Sequence, residues 1–266
     1  MAGSDNEIMQ RNNYKYIYGP VPSWRLGRSL GIDPISGKVK ACSFDCIYCQ
    51  VGKGRVRVLK RRVYVPAEKV IQEIRSLPPR KIDYITFSGI GEPTLAKNLG
   101  ELVKGAKKLL KKKVAVLTNS SLIDRVGVQK DLRSADFVIA KLDASSEEIF
   151  KRVNRPRQGL RLAKIIKGIK TFKSGYRGTL ALQVMFVKEN KDTAWELAKI
   201  AKEIAPDEVQ INTPLRPCGV KPLSRKEIDA IKKDFKGMKV VSVYDAKRKK
   251  VKSISKKDVL SRRGKV

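Results

Sequence analysis

Residues 82–93 read Ile82-Asp-Tyr-Ile-Thr-Phe87-Ser-Gly-Ile-Gly-Glu92-Pro93. The run Ile82 to Phe87 is rich in β-branched and aromatic residues and predicts a strand. The glycines that follow permit a tight turn and a close approach of backbone to a ligand. Leu95 to Leu110 has the apolar spacing of a helix, so the stretch reads as the strand–turn–helix half of a βαβ unit.

The same unit recurs on both sides. Ser29–Pro34 predicts a strand, and Pro66 opens a helix to about Leu77 with Val70, Ile71 and Ile74 on one face. Further strands are expected at Val114–Leu117, Phe137–Ala140, Leu180–Val187, Val209–Ile211 and Val240–Tyr244. Helices are expected at Leu122–Leu132, Ser145–Val153, Leu160–Phe172, Asp192–Ile204 and Ser224–Phe235, the last capped by Ser224. Tyr14 to Trp24 reads as aromatic and turn-rich. Alternation of strand and helix implies a parallel sheet. Six strand–helix units suit an open partial (β/α)6 barrel better than a closed eight-stranded one, with a doubly wound sheet as the alternative.

Composition narrows the functional classes. The chain has 266 residues, 59 Lys or Arg against 26 Asp or Glu, and a formal net charge of +33. No apolar run approaches the ~18 residues of a membrane span. The polar start, Met1 to Asn13, lacks the apolar stretch of a secretory signal, so a cytoplasmic protein with no membrane association is expected. So positive a surface predicts a polyanionic partner, nucleic acid first and an anionic membrane second. A Lys-rich thermophile surface is the other explanation. The basic residues cluster: six in Lys53–Arg62, ten without an acid in Lys151–Arg177, five in Lys107–Lys113 and ten in Lys247–Lys265. Together these read as a phosphate-binding rim. Tyr14, Tyr16, Tyr18 and Trp24 either stack on an exposed base or cover an edge of the barrel.

The chain has no histidine, which removes Ser-His-Asp and Cys-His catalysis and His-ligated zinc. Chemistry falls to the cysteines, the carboxylates or a cofactor. Cys42-Ser-Phe-Asp-Cys46-Ile-Tyr-Cys49 spaces three thiols on one short loop, with Cys218 far along the chain. Three thiolates so spaced suit three irons of a cubane cluster, leaving the fourth iron for another ligand. Structural zinc would want four ligands. At the strand ends, Thr118-Asn119, Lys141-Leu-Asp143 and Asn212-Thr213 place polar groups where parallel α/β folds build their sites; the alternative for each is a cap or loop residue.

The cysteine loop, with an aromatic at Tyr48 just before its third cysteine, and the Ser88-Gly-Ile-Gly-Glu92-Pro segment resemble the radical S-adenosylmethionine superfamily. The resemblance spans about Tyr18 to Tyr244. It implies an open partial barrel of radical S-adenosylmethionine type, an enzyme, a 4Fe–4S cluster on Cys42, Cys46 and Cys49, and S-adenosylmethionine chelated by the open iron. Reductive cleavage of that cofactor would yield a 5′-deoxyadenosyl radical. By the same resemblance Tyr48, Gly89, Gly91 and Glu92 border the cofactor, with Glu92 facing the methionine amine. Asn119 and Asp143 then meet its ribose or carboxylate, and Asn212 its adenine. The segment Tyr18 to Gly31 resembles a small subgroup related to wyosine-type tRNA modification proteins. The wyosine-forming enzyme uses a second cluster with three further cysteines, and here only Cys218 remains. Cys218 is a radical relay, a methyl carrier, a substrate-handling thiol or an ordinary loop thiol.

The expected organisation is a polar extension over 1–17, a core over 18–245 and a basic tail over 246–266. The expected function is radical modification of a nucleotide in tRNA or another RNA, with electrons from a donor such as a ferredoxin or flavodoxin. The alternatives are an enzyme that installs a glycyl radical on a partner protein, or a non-enzymatic RNA-binding protein with a structural or redox-sensing cluster.

Overall fold

In a computed structural model, residues 14–37, 40–51, 55–247 and 249–263 are described. Eight strands form one sheet in the order β1-β2-β5-β6-β7-β8-β9-β10. They are β1 (Ile17–Ser23), β2 (Gly27–Ile32), β5 (Tyr84–Phe87), β6 (Lys113–Thr118), β7 (Phe137–Lys141), β8 (Thr179–Met185), β9 (Glu208–Asn212) and β10 (Val240–Ser242). From β2 to β10 every pairing is parallel, while β1 runs antiparallel to β2. The two remaining strands, β3 (Lys40–Cys42) and β4 (Arg55–Arg57), make a separate parallel ribbon.

Parallel neighbours need crossovers, and helices supply them. They are α1 (Ala67–Arg75), α2 (Leu99–Leu110), α3 (Val126–Leu132), the short α4 (Glu147–Ile149) with α5 (Leu162–Ser174), α6 (Ala194–Ile204) and α7 (Arg225–Asp234). The sheet curls into an open half-barrel, the fold read from the sequence. Strand alternation divides its faces. Val114, Val116 and Val138 point outward into the main core, which the helices cover with residues such as Leu102, Val103, Ile165 and Phe172. Ala115, Phe137, Ile139 and Ala181 point inward and meet Leu26 from the β1–β2 turn. That turn plugs the end of the barrel where the strands begin. Beneath it, the Arg28 guanidinium holds the Asp83 carboxyl well below the usual carboxylate range.

The structure alters the expectations for two segments, decides the alternative left open for two tyrosines, and adds a helix in the tail. The aromatic, turn-rich stretch contains β1, whose Pro20 and Pro22 are tolerated because an edge strand need not donate outward. Tyr14 and Tyr18 are buried, so neither stacks on an exposed base. The helix expected over Ser145–Val153 is only α4 followed by a π-turn, Phe150–Asn154. The basic tail contains α8 (Lys256–Arg263), which packs on β1: Val259 joins Tyr18 and Val21, and Ile254 N–H donates to Gly19 O at 2.7 Å. Among the described residues no helix is long and apolar enough to cross a membrane.

Replacing Leu26 with Ala removes the plug from a site that is 4% exposed. The expected loss is about 2–4 kcal/mol of stability, read as a lower urea midpoint with unchanged slope.

Candidate active site

Every parallel strand ends on the same rim. The cysteine loop leaves β2, crosses that rim and returns to α1. Three backbone bonds clamp it to the π-turn segment: Asp45 N–H to Asn154 O at 3.0 Å, Ile47 N–H to Val153 O at 3.0 Å, and Arg157 N–H to Ser43 O at 2.9 Å. On its other side Glu92 N–H donates to Ala41 O at 3.0 Å. The approach at Gly91 is so close that a Cβ there would lie 2.1 Å from Ala41 O. At Gly89 a Cβ would lie 2.1 Å from the Asp33 carboxyl carbon. Both glycines are therefore required by packing between the turn and the loop.

Glu92 is 2% exposed. One carboxylate oxygen accepts from Thr94 N–H at 3.0 Å, Thr94 Oγ1 at 2.7 Å and Thr118 Oγ1 at 2.6 Å. The other accepts from Asn119 N–H at 2.7 Å. Burial pushes the carboxyl above its ordinary range, and these bonds oppose the shift by favouring the charged form. Asn119 Nδ2 donates to Ser43 Oγ at 2.8 Å and lies 3.5 Å from Cys42 Sγ.

A second cluster centres on Asp143, just past β7. Its carboxylate accepts from Met185 N–H at 2.8 Å, from Asn154 Nδ2 at 2.8 Å and from the Tyr48 hydroxyl. Asn154 Nδ2 also lies 3.5 Å from Cys46 Sγ. Lys141 Nζ stands 3.5 Å from Asp143 and 4.8 Å from the Tyr48 ring centre. Burial, reinforced by the Asp143 charge, keeps the Tyr48 phenol protonated. Burial pushes the Cys46 thiol up to about 11.

Thus Cys42, Cys46, Tyr48, Gly89, Gly91, Glu92, Asn119 and Asp143 meet on one rim, and Cys49 N–H bonds back to Cys46 O at 3.1 Å. Asn212 ends β9 and borders a pocket together with Gln50. Cys218 lies in the β9–α7 loop, its Sγ 3.2 Å from Val220 O. The adjoining Gly219 faces the cysteine loop, since a Cβ there would lie 3.0 Å from Ile47 O. Sequence reasoning missed Asn154. It lies in a charged segment and carries no motif, and only the π-turn brings it to Tyr48 and Cys46.

The donor set fits an iron–sulfur cluster. It offers three thiols on one loop and two amide N–H groups directed at thiol sulfurs, the hydrogen bonding that tunes such clusters. It does not fit a single closed ion site: among the described residues no three Cys, Asp or Glu side chains gather closely enough to hold one metal ion.

A parallel half-barrel with a cysteine loop over its strand ends defines a class of cofactor-dependent enzymes. The chain belongs to the Radical SAM superfamily, whose description matches residues 38–201. Members use a 4Fe–4S cluster and S-adenosylmethionine. Within it, the chain is 43% identical over 211 residues to a UPF0026 protein of Synechocystis sp., covering 79% of this chain and 78% of that one. It is 38% identical over 223 residues to a UPF0026 protein of Methanocaldococcus jannaschii, covering 81% and 68%. A solved structure of TYW1 with a lysine–pyruvate adduct bound shares the fold at a TM-score of 0.61 and 16% identity, covering 79% of this chain and 74% of that one.

Glu92→Gln sets an amide N–H₂ against the Asn119 N–H, leaving buried donors without an acceptor. The apo protein should lose about 1–3 kcal/mol of stability, measurable by urea unfolding, and Thr94→Val, which removes one hydroxyl donor to Glu92, should lose less.

Proposed function

We propose that this chain is a radical S-adenosylmethionine enzyme that modifies a nucleotide in RNA, most directly tRNA. The observation that carries the reading is a set of exposed cations beside the cysteine loop. Arg57, Lys60, Arg125, Arg155, Arg157 and Arg161 are exposed. Arg157 donates to Arg57 O and Arg125 donates to Leu59 O at 2.8 Å, so both are tied through backbone carbonyls to the basic stretch that follows the cysteine loop. Among the described residues none of the six pairs with a carboxylate. Unneutralised charge at an active-site rim supports a polyanionic substrate, whose phosphates it would position.

The expectation of one rim from all four basic segments narrows, because part of that charge is paired elsewhere. Lys107 pairs with Asp136, Lys170 with Glu203, Lys173 with Asp207 and Lys249 with Asp83, at or toward the opposite end of the barrel.

In this reading Cys42, Cys46 and Cys49 ligate the cluster. When bound, the cluster and S-adenosylmethionine supply reductive cleavage to a 5′-deoxyadenosyl radical. The chain's own residues orient and shield. Glu92 fixes the turn against the loop and borders the methionine end of the cofactor. Asn119 and Asp143 border the ribose or carboxylate, and Asn212 the adenine. Asn119 and Asn154 donate toward the ligand sulfurs. Cys218, on the loop that faces Ile47, handles substrate. The sequence resemblance of Tyr18 to Gly31 to wyosine-related proteins supports tRNA as the substrate. The lack of three further cysteines argues for a different product.

The test is anaerobic turnover of the reconstituted protein with reductant and S-adenosylmethionine, with and without tRNA lacking its modifications. Deoxyadenosine should form, rise with tRNA, and vanish in Cys42→Ala, Cys46→Ala and Cys49→Ala. Arg157→Glu with Arg161→Glu should weaken tRNA binding at least tenfold and flatten its salt dependence. Turnover indifferent to tRNA would sink the RNA assignment. Cleavage retained in any of the three cysteine variants would sink the cluster assignment.

A further inference from the structure

The half-barrel leaves a gap between its two edge strands, and a pocket of about 170 Å³ occupies it. Trp24 and Arg25 enter from the β1–β2 turn, Asn212 from the end of β9, Arg216 from the following loop, and Arg263 from α8. Gln50, which directly follows Cys49, closes the side toward the cysteine loop. The walls thus hold three guanidinium groups.

The arrangement is built. The Arg25 guanidinium lies 4.1 Å from the centre of the Trp24 ring. With its amide turned to face Arg25, Gln183 accepts from Arg25 Nε at 2.8 Å. Arg216 donates to the backbone oxygen of Arg263. Arg263 is carried to the pocket by the docking of the tail on β1, which Ser253 Oγ to Pro20 O at 2.8 Å and the Ile254–Gly19 bond secure.

We infer that this pocket holds one phosphorylated nucleoside, with the arginines on its phosphate and Trp24 and Gln50 on its base, while Asn212 marks the margin shared with the cofactor's adenine. Guanidinium groups bind phosphate through paired N–H donors. An indole offers a stacking face that suits any base, and the Gln50 side-chain amide offers both donors and an acceptor to a base edge. A base stacked and paired in a duplex cannot reach side chains inside a barrel, so a nucleotide in RNA would enter flipped out of its stack. The inference rests on the reading of the chain as an enzyme acting on nucleotides, and locates the reacting unit beside the cysteine loop.

The chain has two tryptophans, and Trp195 is half exposed on α6, outside this pocket. In the reconstituted Trp195→Phe protein, Trp24 is therefore the single indole reporter. Anaerobic titration with the four nucleoside 5′-monophosphates, the matching nucleosides and unmodified tRNA should give saturable quenching of Trp24. Nucleosides lacking phosphate should bind at least tenfold more weakly than the best monophosphate. Arg216→Gln and Arg263→Gln should each weaken phosphate-dependent binding at least tenfold, while Arg216→Lys and Arg263→Lys should restore most of it. Saturation by free monophosphates identifies a free nucleotide as the source; a response to tRNA alone identifies a nucleotide within RNA.

Equal binding with and without phosphate, or no response to any probe from a folded, cluster-loaded protein, would overturn the pocket. The two readings fail separately. Turnover stimulated by tRNA but untouched by the arginine variants overturns the pocket and leaves the RNA assignment standing. Quenching by free monophosphates with no tRNA effect on turnover does the reverse.

Discussion

The rim depends on one buried carboxylate. Glu92 ties its own turn to the end of β6 through Thr118 and Asn119, while its backbone N–H ties that turn to Ala41, next to Cys42. Four donors on a side chain 2% exposed are needed because an unpaired buried charge would cost several kcal/mol. Satisfied, the same group sets the spacing between two strand ends and the cysteine loop. Asn119 extends the tie to Ser43, so a displacement at Glu92 would be felt at the loop itself.

A second tie, through Asp143, holds the loop's other half. Tyr48, Asn154 and the Met185 N–H all converge on it. Because Asn154 sits on a π-turn, an extra residue in that turn rather than a regular helix sets its amide toward Cys46. The cysteine loop is thus gripped between two carboxylate-centred networks, one at the ends of β5 and β6 and one at the ends of β7 and β8.

The barrel strands were legible because their apolar runs are short, β-branched and punctuated by turn residues. The Gly89–Glu92 turn was legible because close packing demands glycine there. β1 was not legible: two prolines and a glycine carry the signature of a turn, and only pairing with β2 and cover from the tail make it a strand. Asn154 and the arginines at the mouth were hidden for a different reason. Nothing local distinguishes an Arg that salt-bridges on a surface from one that lines a pocket; the distinction lies in contacts across the whole chain, from Trp24 to Arg263. The positive charge shows the same limit. The sequence displays its excess, while the structure divides it into cations paired with acids, such as Lys107, Lys173 and Arg28, and cations such as Lys60 and Arg157 that face the solvent beside the loop.

The open sheet has a mechanical consequence. Closed barrels gain rigidity from a continuous ring of hydrogen bonds, whereas here β1 and β10 end the ring and the gap between them is spanned by side chains from the turn, the β9 end and the tail. A molecule lodged in that gap touches both margins at once and serves as a removable stave. Its binding energy then adds to the cohesion of the fold by mass action, so the loaded protein is a stiffer vessel than the empty one.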